Sequence, residues 1–248
     1  MKRIEKLLRI DFEDRNQPWI HSSFKLRQTI GVLGMLLPGL LWFSLVLFEG
    51  VAEVLPSISH YYFTRSGTIF TATLIVLATF LLIFKDDDKL EFWLSTLAGL
   101  FALFVAIFPT DNLVDRCCDL DVKHAITFLS GDISGINPRV LFHYVSAGLF
   151  FLCLAFMSFI IFPRSEESGH DKNAKNRRKI IYRVCAVVMV VSILIILLNY
   201  NDSDANSWYN RNQMTFWLEV IAVEAFGISW FIRGETLFKD KPKDITAE

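Results

Sequence analysis

The chain has 248 residues, 53% of them hydrophobic and 14% aromatic, and its mean hydropathy is +0.40. An ordinary soluble domain is about 45–50% apolar, so this composition excludes a disordered chain and points away from an aqueous one. Twenty-five Lys and Arg against 26 Asp and Glu give a net charge of −1, which excludes a nucleic-acid-binding module, and four Cys are too few for a disulfide scaffold.

In chain order, residues 1–28 form a polar segment. Ile4, Leu7, Leu8 and Phe12 recur there at helical spacing between Arg3, Lys6 and Arg9. Two readings fit: a basic amphipathic helix on the inner leaflet, or a tail whose charges only set topology. Runs without any Asp, Glu, Lys or Arg follow at Gln28–Phe48, Ser66–Phe84, Phe92–Thr110, Val140–Pro163 and Val184–Asn201. A sixth run, Asn212–Ile232, is interrupted only by two carboxylates, Glu219 and Glu224. A hydrocarbon core about 30 Å thick needs roughly 20 helical residues, whereas a barrel strand needs only about 9–11. The expected fold is therefore all-α: a six-helix transmembrane bundle in one domain over 29–234, with spans near 29–49, 66–84, 92–110, 140–163, 180–201 and 212–233. The first span is expected to stay in place as a signal-anchor, and 235–248 to form a tail. Trp42, Trp93, Tyr144, Tyr182, Tyr200, Trp217 and Trp230 lie near the span ends and suit an interfacial belt.

Twenty Lys and Arg fall in the N-terminal segment, alternate loops and C-terminal tail, against five (Arg65, Arg116, Lys123, Arg139 and Arg211) in the others. The positive-inside rule then places both termini in the cytoplasm. The inside loops read as solvated: Lys85–Lys89 is a charged turn and Arg164–Lys179 a polar linker. No Walker, Rossmann, HExxH or CxxC pattern occurs.

That topology gathers polar residues on the outer half. His143 and Ser146 share one face of the fourth span, and Glu219 and Glu224 lie within the sixth, with Gly227 one turn beyond Glu224. Asp111 ends the third span, and the first outer loop adds Ser57, Ser59, His60 and Tyr61. Ionisable groups in a span cost roughly 2.5–3.5 kcal/mol each to insert, so they should face a shared interior. The cluster has three readings: helix-to-helix hydrogen bonding, a pocket for lipid or a small amphiphile, or a metal-assisted hydrolase. In the last, His60, Asp111, His143 and Glu219 are the candidates from which three would ligate zinc and leave a fourth position open. Glu224 reads as a neutral hydrogen-bonding group or, with Glu219, as the proton carrier of a coupled transporter. Cys117 and Cys118, in an acidic outer loop with His124, read as idle thiols, as metal ligands or as an intermolecular link in a homo-oligomer; Cys153 and Cys185 read as small core residues. Gly31, Gly34 and Gly39, with Pro38, allow close helix contact or a kink.

Leu55-Pro56-Ser57-Ile58-Ser59, followed by Ile69-Phe70, resembles the first outer loop of the Frag/DRAM/Sfk family, six-helix membrane proteins with cytoplasmic termini. A wider pattern is similar to bacterial six-helix membrane proteins grouped as a domain of unknown function. It comprises Tyr61-Tyr62, Phe108-Pro109-Thr110, His143 with Ser146-Ala147, and Phe226-Gly227-Ile228-Ser229-Trp230. The resemblance implies lipid handling, with membrane lipid as the partner and no catalytic residues assigned. Ser59-His60-Tyr61-Tyr62 stands where that family would carry an Asp/Thr-Gly pair. A more distant likeness to ceramidase-type hydrolases would support the zinc reading, although the paired His of their last helix are absent.

Overall fold

With no water in a hydrocarbon layer to solvate its amides, a long apolar run satisfies its backbone by coiling into helix. The computed structural model describes residues 19–84, 88–111, 138–165, 172–199, 204, 206–234 and 237. Of the described residues 85% are helical, with no strand among them. We number the long helices α1 (Trp19–Glu49), α2 (Gly67–Ile83), α3 (Lys89–Ile107), α4 (Pro138–Phe156), α5 (Lys172–Leu198) and α6 (Met214–Arg233). α4 continues through a π-turn, Met157–Ile161, into Phe162–Ser165. A 3-10 turn, Ile58–Phe63, lies between α1 and α2, and a single helical turn, Trp208–Arg211, precedes α6.

Local signals set the ends. Gly50, at φ 70°, accepts the left-handed position after α1, and its N–H donates to the Val46 carbonyl at 3.0 Å. Asp88 caps α3 by accepting from Leu90 N–H at 2.9 Å. Pro138 opens α4, where a missing N–H costs nothing.

The helices pack as a closed ring in chain order, α1 through α6, with α6 returning to α1. The α1–α6 seam is a backbone crossing. A Cβ on Gly31 would sit 2.6 Å from the Gly227 carbonyl oxygen, and one on Gly34 would strike the Phe226 ring at 2.7 Å, whereas Gly39 has open space. The sides of the bundle away from the ring are greasy: Phe43, Leu47, Trp93, Ile180 and Leu194 are exposed. Among the described residues five helices are long and apolar enough to cross a membrane, within α1, α3, α4 with its extension, α5 and α6; α2 is apolar but shorter, at 17 residues. This is the build of a multi-pass integral membrane protein.

Three expectations change. α1 begins at Trp19, ten residues before the expected 29, and α5 begins at Lys172 rather than 180. The stretch Lys172–Lys179 contains no Gly or Pro, so the helix runs on through its charges. Arg178 is buried, so this part of Arg164–Lys179 is not a solvated linker. Tyr182 and Trp230 are fully buried rather than part of a belt. They pack on Phe162, whose ring centre is 5.5 Å from that of Tyr182 and 5.6 Å from that of Trp230. Trp42, Trp93, Tyr144 and Trp217 are exposed. The N-terminal amphipathic segment, Cys117, Cys118, His124 and Tyr200 lie outside the described residues.

Candidate functional site

The ring's two ends differ. At one end, which brings together the starts of α1 and α3 and the end of α6, the Glu91 carboxylate is fully buried. It lies 3.7 Å from Arg27 Nη2 and 3.6 Å from Arg233 Nη2. At the other end the 3-10 turn folds in over the helix termini, held by hydrogen bonds to Glu219 and His143.

His143 is the centre of that second end. It sits in the second turn of α4 and is 1% exposed. Its Nδ1 lies 2.7 Å from the Phe108 carbonyl oxygen and its Nε2 lies 2.9 Å from Ser59 Oγ. A carbonyl can only accept, so Nδ1 carries the hydrogen, Nε2 offers its lone pair, and the Ser59 hydroxyl donates to it. Phe108 caps α3 and is followed by Pro109, which cannot continue the helix, so the terminal carbonyl takes no helical amide and accepts this bond. Thr110 Oγ1 bonds Tyr144 OH at 3.1 Å, fastening the same two helices a little further out.

Glu219, in the second turn of α6, accepts the Ile58 N–H at 2.5 Å. This N–H opens the 3-10 turn and has no partner inside it. Ser57 Oγ and His60 Nδ1 share a hydrogen bond at 2.6 Å across the turn. Tyr61 is fully buried against Phe216, with ring centres 6.0 Å apart. Burial pushes its phenol above the ordinary value, while the Leu55 backbone pulls it down less strongly. Ser44 and Ser66, bonded at 2.7 Å, tie α1 to the start of α2.

Behind the turn, in the middle of the ring, is a cavity lined by α1, α2, α3, α4, α6 and the turn itself. Its free volume is about 60 Å³, several times the roughly 10–15 Å³ that one water centre needs. Its walls are apolar (Leu37, Phe70, Leu74, Val105, Phe150 and Val223 among them), and among the described residues its only polar linings are Ser59 and Glu219.

The structure thus brings together Ser59, His143 and Glu219 through one turn, with Ser57, His60 and Tyr61 in that turn. Ser146 is buried one helical turn beyond His143. Asp111 is exposed at the edge of the described residues. Glu224 stands apart: five residues past Glu219 is about 140° around a helix, on the side of Trp217, Ile221 and Ile228, which are exposed. The expected pairing of Glu219 with Glu224 in one chamber is therefore not formed. Nor is the zinc set of His60, Asp111, His143 and Glu219. Both His143 nitrogens are bonded, His60 is turned to Ser57, and among the described residues no three His, Cys, Asp or Glu converge on a metal position. Two contributors had no side-chain signature, the Phe108 carbonyl and the Ile58 N–H; only Pro109 hinted at the first.

A family model described as a protein of unknown function, DUF998, matches residues 29–223. The chain belongs to the DUF998 family. No curated protein and no solved structure matches it. The DUF998 match includes the 3-10 turn, Ser59, His143 and Glu219, and so the whole polar end of the cavity.

Proposed function

We propose that this DUF998 protein crosses a bacterial inner membrane six times, with both termini in the cytoplasm, and receives the hydrocarbon chain of a membrane lipid or small amphiphile in its central cavity. The observation that carries this reading is the lining: a narrow apolar slot whose only polar groups, Ser59 and Glu219, sit at the end covered by the turn. An apolar lining of this kind favours a hydrocarbon segment over a sugar or an ion, and at about 60 Å³ the closed cavity takes only a few carbons, so a longer chain enters as the turn opens. The likeness of Leu55–Ser59 to Frag/DRAM/Sfk loops supports the same class of ligand. For the sixth span, α2 is about 25 Å long at 1.5 Å per residue, a few Å short of a typical core, a mismatch that local thinning accommodates. The excess of Lys and Arg at the end where α1 begins supports the orientation.

The test is native mass spectrometry of protein purified in mild detergent. Wild-type protein should retain lipid through delipidating washes, and Ala147→Phe, which fills the slot, should lose it. Complete delipidation of folded wild-type protein, or equal retention by both, would overturn the reading.

A further inference from the structure

We propose that Ser59 and His143 are a nucleophile and its general base, acting on the carboxylic ester of a lipid whose acyl chain lies in the cavity; this rests on the lipid reading above. Three observations converge. The Ser59 hydroxyl donates to His143 Nε2 at 2.9 Å, which is the reach at which a base takes a serine proton. The base is itself oriented, because Nδ1–H donates to the Phe108 carbonyl at 2.7 Å and fixes the tautomer that leaves Nε2 free to accept. In the familiar triad a carboxylate takes that orienting place; here a backbone carbonyl does. Finally, Ser59 is not sealed in the helix interface with its partner: His143 is 1% exposed, while Ser59 is only partly buried and lines the slot. A bond that served only to hold the turn would have no need to present its hydroxyl to a cavity.

The step balances without any further reagent. Ser59 Oγ bonds to the ester carbonyl carbon as its proton moves to Nε2. The tetrahedral adduct then collapses, the carbon–oxygen bond to the alcohol breaks, and the alcohol leaves with the proton from Nε2. The acyl chain stays on Ser59 until water or the hydroxyl of a second lipid attacks, with His143 relaying its proton in the same way.

The experiment treats the full-length protein in detergent with a hexadecyl fluorophosphonate, an ester mimic that phosphonylates activated serines, and locates the adduct by peptide mass spectrometry. The adduct should form on Ser59, be absent in Ser59→Ala, slow by about 100-fold or more in His143→Ala, and be unchanged in Thr79→Ala, on the exposed side of α2. A folded wild-type protein that gains no adduct, or a Ser59→Ala variant that labels as before, overturns the proposal, and neither outcome depends on His143→Ala folding. Lipid content of the same preparation separates the two claims. Retained lipid without an adduct ends the nucleophile and leaves the lipid reading standing; an adduct on protein that retains no lipid does the reverse.

Discussion

The two ends of this bundle solve the same problem with opposite chemistry. Where α1 and α3 begin and α6 ends, full charges are buried together. Glu91 lies between Arg27 and Arg233, whose guanidiniums also lie over Phe84 at 5.2 Å and Phe162 at 5.4 Å, and Trp230 fills the space between those rings. At the other end, hydroxyls, an imidazole, a backbone carbonyl and a backbone N–H hold an irregular turn over a cavity. A buried ion cluster is costly to disturb and specifies one arrangement. A set of modest hydrogen bonds around a turn can be opened locally without unfolding the rest. The first end fastens helices, and the second is held by the bonds that local opening breaks most readily.

The hardest blow to that contrast is Glu91→Ala. It leaves two buried guanidiniums without the carboxylate between them, and removing one partner of a buried pair costs about 3–5 kcal/mol. The variant should unfold globally, at both ends together, in a thermal or SDS titration. A variant that melts like wild type would show that the charged end is not the fastening.

Next comes the seam that joins the ends. Gly31→Leu forces a side chain into the Gly227 backbone, 2.6 Å from its carbonyl oxygen even at Cβ, and overpacking of this kind costs about 3 kcal/mol. Gly39→Leu, on the same helix but with nothing within 4 Å, should change stability by less than about 0.5 kcal/mol. Equal melting temperatures for the pair would mean that α1 and α6 can slide apart freely.

His143→Ala separates the ends most directly. It removes two hydrogen bonds and leaves the Phe108 carbonyl without this partner, a loss of about 2 kcal/mol. Amide exchange should rise in 57–63 and at the end of α3, while the start of α1 and the end of α6 keep their protection. A uniform rise over both ends would erase the distinction.

How much of this could be read beforehand follows from which groups carry the structure. The spans were legible because hydropathy is a property of side chains in a row; helix bounds drifted only where charged residues continued a helix, as at Lys172–Lys179. Ser59, His143 and Glu219 stood out as polar groups flanking or entering greasy runs. Their partners did not, because the Phe108 carbonyl and the Ile58 N–H are main chain and carry no residue signature. Glu224 was misleading for a different reason: depth along a helix can be counted from the sequence, but the face a residue presents depends on which neighbours the helix finds. The Arg27–Glu91–Arg233 cluster has little signature in the sequence, because basic residues beside spans serve topology equally well. Its one sequence signal was Glu91, an acid in the first turn of a span at the basic end.

The smallest effect concerns titration at the turn end. The turn end contains Tyr61, whose phenol burial raises above its ordinary value of 10.0, and Tyr209, raised by burial and, more weakly, by the charge of Glu219, against the Thr215 hydrogen bond. A group raised in the folded state holds its proton there after the unfolded chain has lost it. Folding therefore binds protons above about pH 10, and stability falls as pH rises through that range. Melting temperatures taken from pH 8 to 11 should decline more gently in Tyr61→Phe than in wild type, with Tyr209→Phe removing part of the remaining slope. If the decline is identical in Tyr61→Phe, the alkaline sensitivity does not arise from the turn, and the phenol against Phe216 is no part of what makes that end the softer one.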